Sequence, residues 1–132
     1  MPDPPVTEVP PPRQEYNIQR RGARVRIRGG ASAKLQFWDV TLLDISRSGV
    51  LLAHTDRVRV GELYLLALQV EGRPLTVMAR AVRSFVSHFI PVAGDERRIV
   101  YHTGMEFSAL TDETAERISA YIHRLRAPGL AP

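Results

Sequence analysis

Cysteine is absent from this chain of 132 residues, and lysine occurs once, at Lys34. Without cysteine the chain has no disulfide framework and no thiolate to serve as a nucleophile or metal ligand. No apolar run approaches the about 18 residues that a membrane-spanning helix needs, and no signal peptide is visible. These absences fit a cytoplasmic protein that does not insert into a membrane.

Because lysine is nearly missing, the positive charge of the chain is carried by arginine, and the formal net charge is +4. A GC-rich genome accounts for a general excess of arginine. It does not account for the clustering of five arginines within residues 20–28. A cluster of this kind favours an anionic partner without specifying which one.

The residue patterns of common catalytic sites are also missing. The histidines are scattered, without the spacing of metal ligands, at positions His54, His88, His102 and His123. There is no glycine-rich phosphate loop of the Walker or dinucleotide-binding type. Ser46 and Ser48 have no histidine base nearby in the sequence. The sequence therefore predicts a protein that is not an enzyme and that holds no metal or cofactor.

Composition divides the chain into three parts. Residues 1–17 contain six of the ten prolines and little that could be buried, which predicts a flexible N-terminal arm. Residues 18–127 have the length and apolar content of one folded domain. Residues 128–132 form a short tail.

The first half of the domain has the pattern of short β-strands separated by turn residues. Val25 and Ile27 begin a first strand, which the segment Gly29 to Ser32 interrupts. Residues 35–43 are predicted as a second strand, Asp44 to Gly49 as a turn, and Val50 to Ala53 as a third strand. One face of the second strand is expected to consist of Leu35, Phe37, Thr41 and Leu43.

The second half continues the β pattern. Leu63 to Val70 is almost wholly apolar, which predicts a buried strand or short helix. The turn Glu71-Gly72-Arg73-Pro74 and the next run favour a strand that forms a hairpin with residues 75–86. Residues 87–96 are predicted as a loop. Residues 98–107 alternate, with the inward positions expected to be Ile99, Tyr101, Met105 and Phe107. Six short strands in this arrangement predict a mainly β fold, a small antiparallel barrel.

The end of the domain has helical periodicity. Thr111 or Asp112 can cap a helix at its N-terminus, and Pro128-Gly129 ends it. An apolar stripe with helical spacing consists of Ala115, Ile118, Ile122 and Leu125. This helix is expected to close one face or mouth of the barrel.

The arginine cluster is the first candidate for a binding site. On a strand, Arg24, Arg26 and Arg28 would face one side, while the apolar residues between them face the other. A guanidinium donates in a planar fork that matches phosphate or the O6/N7 edge of guanine. Gly22 lets the chain bend, so that Arg20 and Arg24 could converge on one ligand. The alternative is a solvated charge run, which is what most such runs are.

The turn beginning at Asp44 is the second candidate. In the simpler interpretation, Asp44 and Ser46 satisfy backbone donors and Gly49 supplies a positive φ before the next strand. In the functional interpretation, an ionised Asp44 accepts hydrogen bonds from N1–H and N2–H₂ of guanine, and Ser46 adds a hydroxyl. Arginines would then take the other edge of the base and the phosphates.

Together and in this order, the two stretches resemble the motifs of the PilZ family of cyclic di-GMP receptors. Arg20-x-x-x-Arg24 is followed twenty positions later by Asp44-x-Ser46-x-x-Gly49. The segment Gly104-Met105-Glu106-Phe107 is similar to the Gly-x-x-Phe found near the end of the last barrel strand in that family. The resemblance covers about residues 18–126.

The resemblance implies a six-stranded barrel with a C-terminal helix and with cyclic di-GMP bound at its surface. The ligand-binding residues it implies are Arg20, Arg21, Arg24, Asp44, Ser46 and Gly49. No further cofactor is implied. Many members carry an arginine before the first motif that stacks on a second ligand molecule. This chain has Gln19 there, which stacks less well, so one or two bound nucleotides remain open.

The function that the resemblance implies is bacterial second-messenger signalling. Cyclic di-GMP would bind, and the signal would pass to a protein partner such as a motility, pilus, chemotaxis or exopolysaccharide component. One alternative is a PilZ-fold adaptor that works without nucleotide. Another is a general nucleic-acid binder that uses the arginines at 20–28. Nucleic acid is disfavoured as a partner because Asp44 would then have no role, since a carboxylate repels phosphate.

Overall fold

The computed structural model describes residues 24–127, which form six strands followed by one helix. The elements are β1 (Val25–Leu35), β2 (Trp38–Ile45), β3 (Gly49–His54), β4 (Leu63–Val70), β5 (Arg73–Pro91), β6 (Arg97–Ser108) and α1 (Asp112–Leu125). The predicted N-terminal arm and the predicted helix stop at Pro128-Gly129 lie outside the described residues.

The six strands close into a barrel in the order β1-β2-β3-β6-β5-β4, and every neighbouring pair is antiparallel. Pairing of β1 with β4 closes the ring, which removes the exposed edges of an open sheet. Apolar side chains fill the interior. The predicted mainly β fold, a six-stranded antiparallel barrel with a C-terminal helix, is confirmed.

The predicted boundary between the first two strands is wrong. The glycines do not end β1, which continues to Leu35. Gly29 and Gly30, at φ 76° and 77°, instead lie in an irregularity of the β1–β2 ladder. The chain reverses at Gln36 and Phe37, between the paired residues Leu35 and Trp38.

This later reversal changes which side chains of the second strand face the core. Phe37, which was expected on the same face as Leu35, is 89% exposed at the hairpin turn. Thr41 is exposed and Leu43 only half-buried. The buried residues of β2 are Val40, Leu42 and Ile45. A strand that starts after the turn therefore has the opposite alternation to the one predicted.

The predicted loop at 87–96 is shorter in the structure, since β5 runs to Pro91 and β6 begins at Arg97. Irregularities after Ala81 and Val86 shift the register of the β5–β6 ladder and so change which side chains face inward. Met105 is buried as predicted, but Ile99 and Tyr101 are only half-buried, and the other buried residues of β6 are Val100 and Thr103.

The helix follows the prediction closely. Thr111 is the N-cap, and its side chain accepts a hydrogen bond from the backbone N–H of Thr114 at 3.1 Å. Ile118 and Ile122 are buried as α1 packs against β1 and β4. Among the described residues 24–127, no helix is both long enough and apolar enough to cross a bilayer.

Candidate functional site

The start of β1 lies beside the end of β2, and this brings the two predicted motifs together. In the ladder, Val25 pairs with Ile45 and Arg26 pairs with Asp44. Arg24 immediately precedes β1. Its Nη2 donates to both carboxylate oxygens of Asp44, at 2.9 Å to Oδ2 and 3.1 Å to Oδ1. A cation and an anion that are twenty positions apart in the sequence therefore share one site.

Both members of this ion pair reach solvent. The side chain of Arg24 is 38% exposed and that of Asp44 18% exposed. A guanidinium has five N–H donors, and the contacts to Asp44 come from one nitrogen, Nη2. The pair orients both groups and still leaves donors of Arg24 and lone pairs of Asp44 for a ligand.

Further cations surround this carboxylate. Arg26 and Arg28 are exposed and Ile27 between them is buried, as the alternating pattern predicted. Arg26 is the residue directly opposite Asp44 across the ladder, and directly paired residues lie on the same face of a sheet. At this end of the barrel, Arg24 and Arg26 therefore both lie close to the carboxylate of Asp44.

Ser46 holds the turn between β2 and β3. It is 5% exposed, and its Oγ accepts hydrogen bonds from the backbone N–H groups of Ser48 and Gly49, each at 3.1 Å. The backbone N–H of Ser46 donates to the carbonyl of Gly49 at 2.8 Å. The hydroxyl is thus engaged within the turn, as in the simpler of the two interpretations, and it fixes the backbone that follows Asp44.

Gly49 is required for a reason that the sequence did not indicate. It does not have the expected positive φ. A Cβ at this position would instead lie 1.9 Å from the carbonyl oxygen of Met105 and 3.2 Å from Cα of Glu106. Gly49 and Glu106 are paired across β3 and β6, and only glycine allows the two backbones to approach so closely.

The Gly-x-x-Phe segment in β6 supports the same turn. The backbone N–H of Phe107 donates to the carbonyl of Ser48 at 2.8 Å, and the Phe107 side chain packs against the core. Gly104 lies further along β6, opposite Leu51. Since Phe107 is more than fifty positions from the turn, this link depends on the closed barrel.

One more cation at this end was not singled out from the sequence. Arg47 is exposed at the turn, between Ser46 and Ser48. Its position inside the second motif could have identified Arg47 as a site residue, but the motif specifies no residue type at that position. The remaining predicted site residues, Arg20 and Arg21, lie outside the described residues. Within residues 24–127, no three histidine, aspartate or glutamate side chains form a metal-binding group.

Comparison with known protein families decides the family. The sequence profile of the PilZ domain matches residues 13–124. The chain belongs to the PilZ domain family. Among curated proteins, none is significantly similar to it in sequence.

Solved PilZ structures share the fold. The PilZ domain with c-di-GMP of YcgR from Escherichia coli aligns with a TM-score of 0.63 at 10% identity, covering 82% of this chain and 93% of that one. The K. pneumonia MrkH–c-di-GMP complex aligns with a TM-score of 0.62 at 16% identity, covering 81% of this chain and 52% of MrkH. A second MrkH structure, described as a c-di-GMP-dependent transcription regulatory factor, aligns at 17% identity with a TM-score of 0.61, covering 77% of this chain and 48% of that one. This PilZ chain spans about half the length of MrkH.

Proposed function

We propose that this PilZ protein is a cytoplasmic bacterial receptor that binds cyclic di-GMP beside Arg24 and Asp44 and relays the binding to a protein partner. The observation that carries the proposal is the 2.9 Å contact between the Arg24 guanidinium and the Asp44 carboxylate. Guanine presents acceptors on one edge and donors on another, while the phosphates carry negative charge. A cation and a carboxylate in one exposed site can satisfy all of these groups.

We assign the roles of the predicted site residues from their chemistry and, for Ser46 and Gly49, from their surroundings. Arg20, Arg21 and Arg24 would donate to the phosphates and to the acceptor edge of guanine. The carboxylate of Asp44 would accept from guanine N1–H and N2–H₂. Ser46 and Gly49 would act by fixing the shape of the turn. The Ser46 hydroxyl accepts a hydrogen bond from the Gly49 N–H, and Gly49 lies against the backbone of β6.

The existing ion pair does not obstruct binding energetically. Exposed ion pairs contribute about 0–1 kcal/mol in water, and here Arg24 is more than one-third exposed. A ligand with micromolar affinity gains about 8 kcal/mol. Rearranging the Arg24–Asp44 contact therefore costs little of the binding free energy, while the contact holds both groups at the site before the ligand arrives.

The solved relatives support cyclic di-GMP as the ligand, but they do not identify the process that the ligand controls. YcgR and MrkH structures both contain c-di-GMP, yet MrkH is described as a transcription regulatory factor. These proteins share their fold with this chain, whereas the process that a ligand controls can differ between members of one fold. We therefore propose a protein partner without selecting among motility, pilus, chemotaxis and exopolysaccharide machinery.

Titration calorimetry with cyclic di-GMP tests the proposal directly. We expect a measurable heat with a defined stoichiometry of one or two nucleotides per chain, which unrelated DNA or RNA does not abolish. No heat at tens of micromolar protein would instead support the PilZ-fold adaptor that works without nucleotide. Strong competition by unrelated nucleic acid, with a steep salt dependence, would support a general nucleic-acid binder.

A further inference from the structure

The outer surface of the β4–β5 hairpin carries three large apolar residues at solvent-facing strand positions, which are usually polar. Leu65 and Met78 are directly paired across the two strands, and Leu63 lies two positions before Leu65 on the same face. These three side chains are between 37% and 45% exposed. The residue between the two leucines, Tyr64, is buried, so this face points away from the core.

The β1–β2 turn places an aromatic residue beside this surface. Gln36 adopts φ 57°, a conformation that residues other than glycine rarely adopt. Two hydrogen bonds tie it to Leu65: the Gln36 N–H donates to the Leu65 carbonyl at 2.8 Å, and Gln36 Oε1 accepts from the Leu65 N–H at 2.6 Å. The next residue, Phe37, is thereby presented to solvent at 89% exposure.

We use the term docking face for Phe37, Leu63, Leu65 and Met78. It lies at the opposite end of the β1–β2 hairpin from Arg24 and Asp44, since Leu35 pairs with Trp38 at one end and Val25 with Ile45 at the other. A nucleotide at the ligand site would therefore leave the docking face uncovered.

The size of the docking face indicates the kind of occupant. Taking about 200 Å² for each fully exposed side chain, the four residues present on the order of 400 Å² of apolar surface. A stable protein dimer buries about 800 Å² on each partner. The docking face alone is therefore large enough for a short segment and small for self-association.

The charges near the docking face indicate the chemistry of that segment. Arg80 is directly paired with Leu63 across the β4–β5 ladder, donates to the carbonyl of Gly61, and has no acidic partner among the described residues 24–127. Asp39, close to the hairpin turn, contacts Lys34 at 2.6 Å, and Glu62 lies 3.8 Å from Arg59. The local charge that remains is positive, so carboxylates on the incoming segment would be attracted to it.

We propose that the docking face binds a short apolar segment of another protein that carries flanking aspartate or glutamate residues. Phe37 is the expected anchor, because exposed aromatic residues on rigid backbone dominate binding energy at interfaces. The docking face would supply the contact for the relay in the proposed function. The contact itself requires no nucleotide, so it stands separately from cyclic di-GMP binding.

A random-peptide display library, selected on the whole protein without nucleotide, provides the test. We expect enriched peptides to combine large apolar residues with aspartate or glutamate. A synthetic copy of such a peptide should bind Phe37→Ser and Leu65→Ser at least tenfold more weakly than the unchanged protein. Phe89→Ser is the matched control, since Phe89 is an exposed aromatic residue on β5 outside the docking face. It should bind within twofold of the unchanged protein.

Three outcomes would overturn the proposal. The first is that enriched peptides bind Phe37→Ser as tightly as the unchanged protein, and the second is that they lack acidic residues. The third is a dimer, seen by light scattering, that Phe37→Ser abolishes, which would make a second copy of the chain the occupant. Because Phe37 is solvent-exposed, circular dichroism of Phe37→Ser should show an unchanged fold. Calorimetry with cyclic di-GMP on the same variant separates loss of this surface from loss of the ligand site.

Discussion

The guanidinium of Arg24 contacts both carboxylate oxygens of Asp44 across twenty positions of the sequence. The β1–β2 hairpin explains this interval. The chain leaves the site at Val25, reverses after Leu35, and returns to the same height of the barrel at Ile45, the partner of Val25. The spacing between the two motifs therefore equals the length of one hairpin. Two motifs at this spacing predict a site where the two free ends of the hairpin meet.

Replacing Arg24 with alanine should weaken cyclic di-GMP binding more than replacing Arg28. Arg24 is held against Asp44, whereas Arg28 lies four positions further along β1 and outside the motif. Loss of a charge-assisted bidentate contact typically costs about 1.5–3 kcal/mol, or more than tenfold in affinity. Calorimetry on both variants measures the difference.

Arg28→Ala is the matched control for that experiment, because it removes the same charge only four positions further along the chain. We expect it to bind within about threefold of the unchanged protein, since an exposed charge acts at a distance through a screened potential. Equal losses in the two variants would show that a diffuse basic surface, rather than a defined site, holds the ligand.

Asp44→Ala should reduce discrimination for guanine more than it reduces attraction for anions. The carboxylate is the group proposed to accept from guanine N1–H and N2–H₂, and removing it also frees the charge of Arg24. The ratio of affinities for cyclic di-GMP and cyclic di-AMP should therefore fall by at least tenfold, while binding of a simple polyanion is retained or strengthened.

The control for Asp44→Ala is Asp39→Ala, which removes an exposed carboxylate from the same strand, near the opposite end of the β1–β2 hairpin from Arg24. It should leave the affinity ratio unchanged. If the ratio for Asp44→Ala also stays at its original value, Asp44 does not read the base, and its role is confined to holding Arg24.

The sequence predicted what depends on local pattern. Alternation of apolar residues identified six strand regions, and a threonine cap with an apolar stripe located α1 correctly. The order of the two arginine and aspartate motifs also led to the residues that the hairpin brings together. These features are properties of short segments, so they can be recognised without knowing what packs against them.

Features that depend on contacts between distant strands could not be predicted in this way. The glycines at 29–30 looked like a break, but pairing with β2 carries β1 past them to Leu35. The reversal at Gln36 is stabilised by two hydrogen bonds to Leu65 in another strand. Gly49 was read as a turn residue because its close approach to Met105 exists only once the barrel has closed.

Gly49→Ala should destabilise the fold strongly. The added Cβ would lie 1.9 Å from the backbone oxygen of Met105, and a backbone atom cannot move aside as a flexible side chain can. Overpacking of this kind typically costs about 1–3 kcal/mol, and we expect the upper part of that range. Urea unfolding monitored by circular dichroism gives the free energy of unfolding.

Gly104→Ala is the control for this substitution, because Gly104 lies in β6, the strand that pairs with β3. A Cβ there would have Cγ of Arg83, at 4.0 Å, as its nearest atom beyond its own chain neighbours. Its free energy of unfolding should change by less than about 1 kcal/mol. A Gly49→Ala protein as stable as Gly104→Ala would mean that β3 and β6 can separate at this point without cost.

His54 is a buried histidine in a chain of hydrogen bonds away from the ligand site. Its side chain is within 2.6 Å of the carbonyl of Asp56 through Nδ1 and within 2.6 Å of the Thr103 hydroxyl through Nε2. The neutral ring satisfies both contacts when Nδ1–H donates to the carbonyl and Nε2 accepts from the hydroxyl. Ser84 Oγ lies 2.8 Å from the same Thr103 oxygen and completes the chain.

Burial lowers the pKa of His54 below its ordinary value of 6.5, although the carbonyl and charge of Asp56 act in the opposite direction. As the pH falls below 6.5, the unfolded chain takes up this proton before the folded protein does, so the free energy of unfolding should decrease progressively. Urea unfolding between pH 7.5 and 5 should show this loss, and His54→Gln should make the free energy of unfolding depend less steeply on pH.

Some dependence on pH should remain in His54→Gln, because burial also lowers the pKa of His102. A slope that persists in full in His54→Gln would mean that acid acts on the fold through other groups.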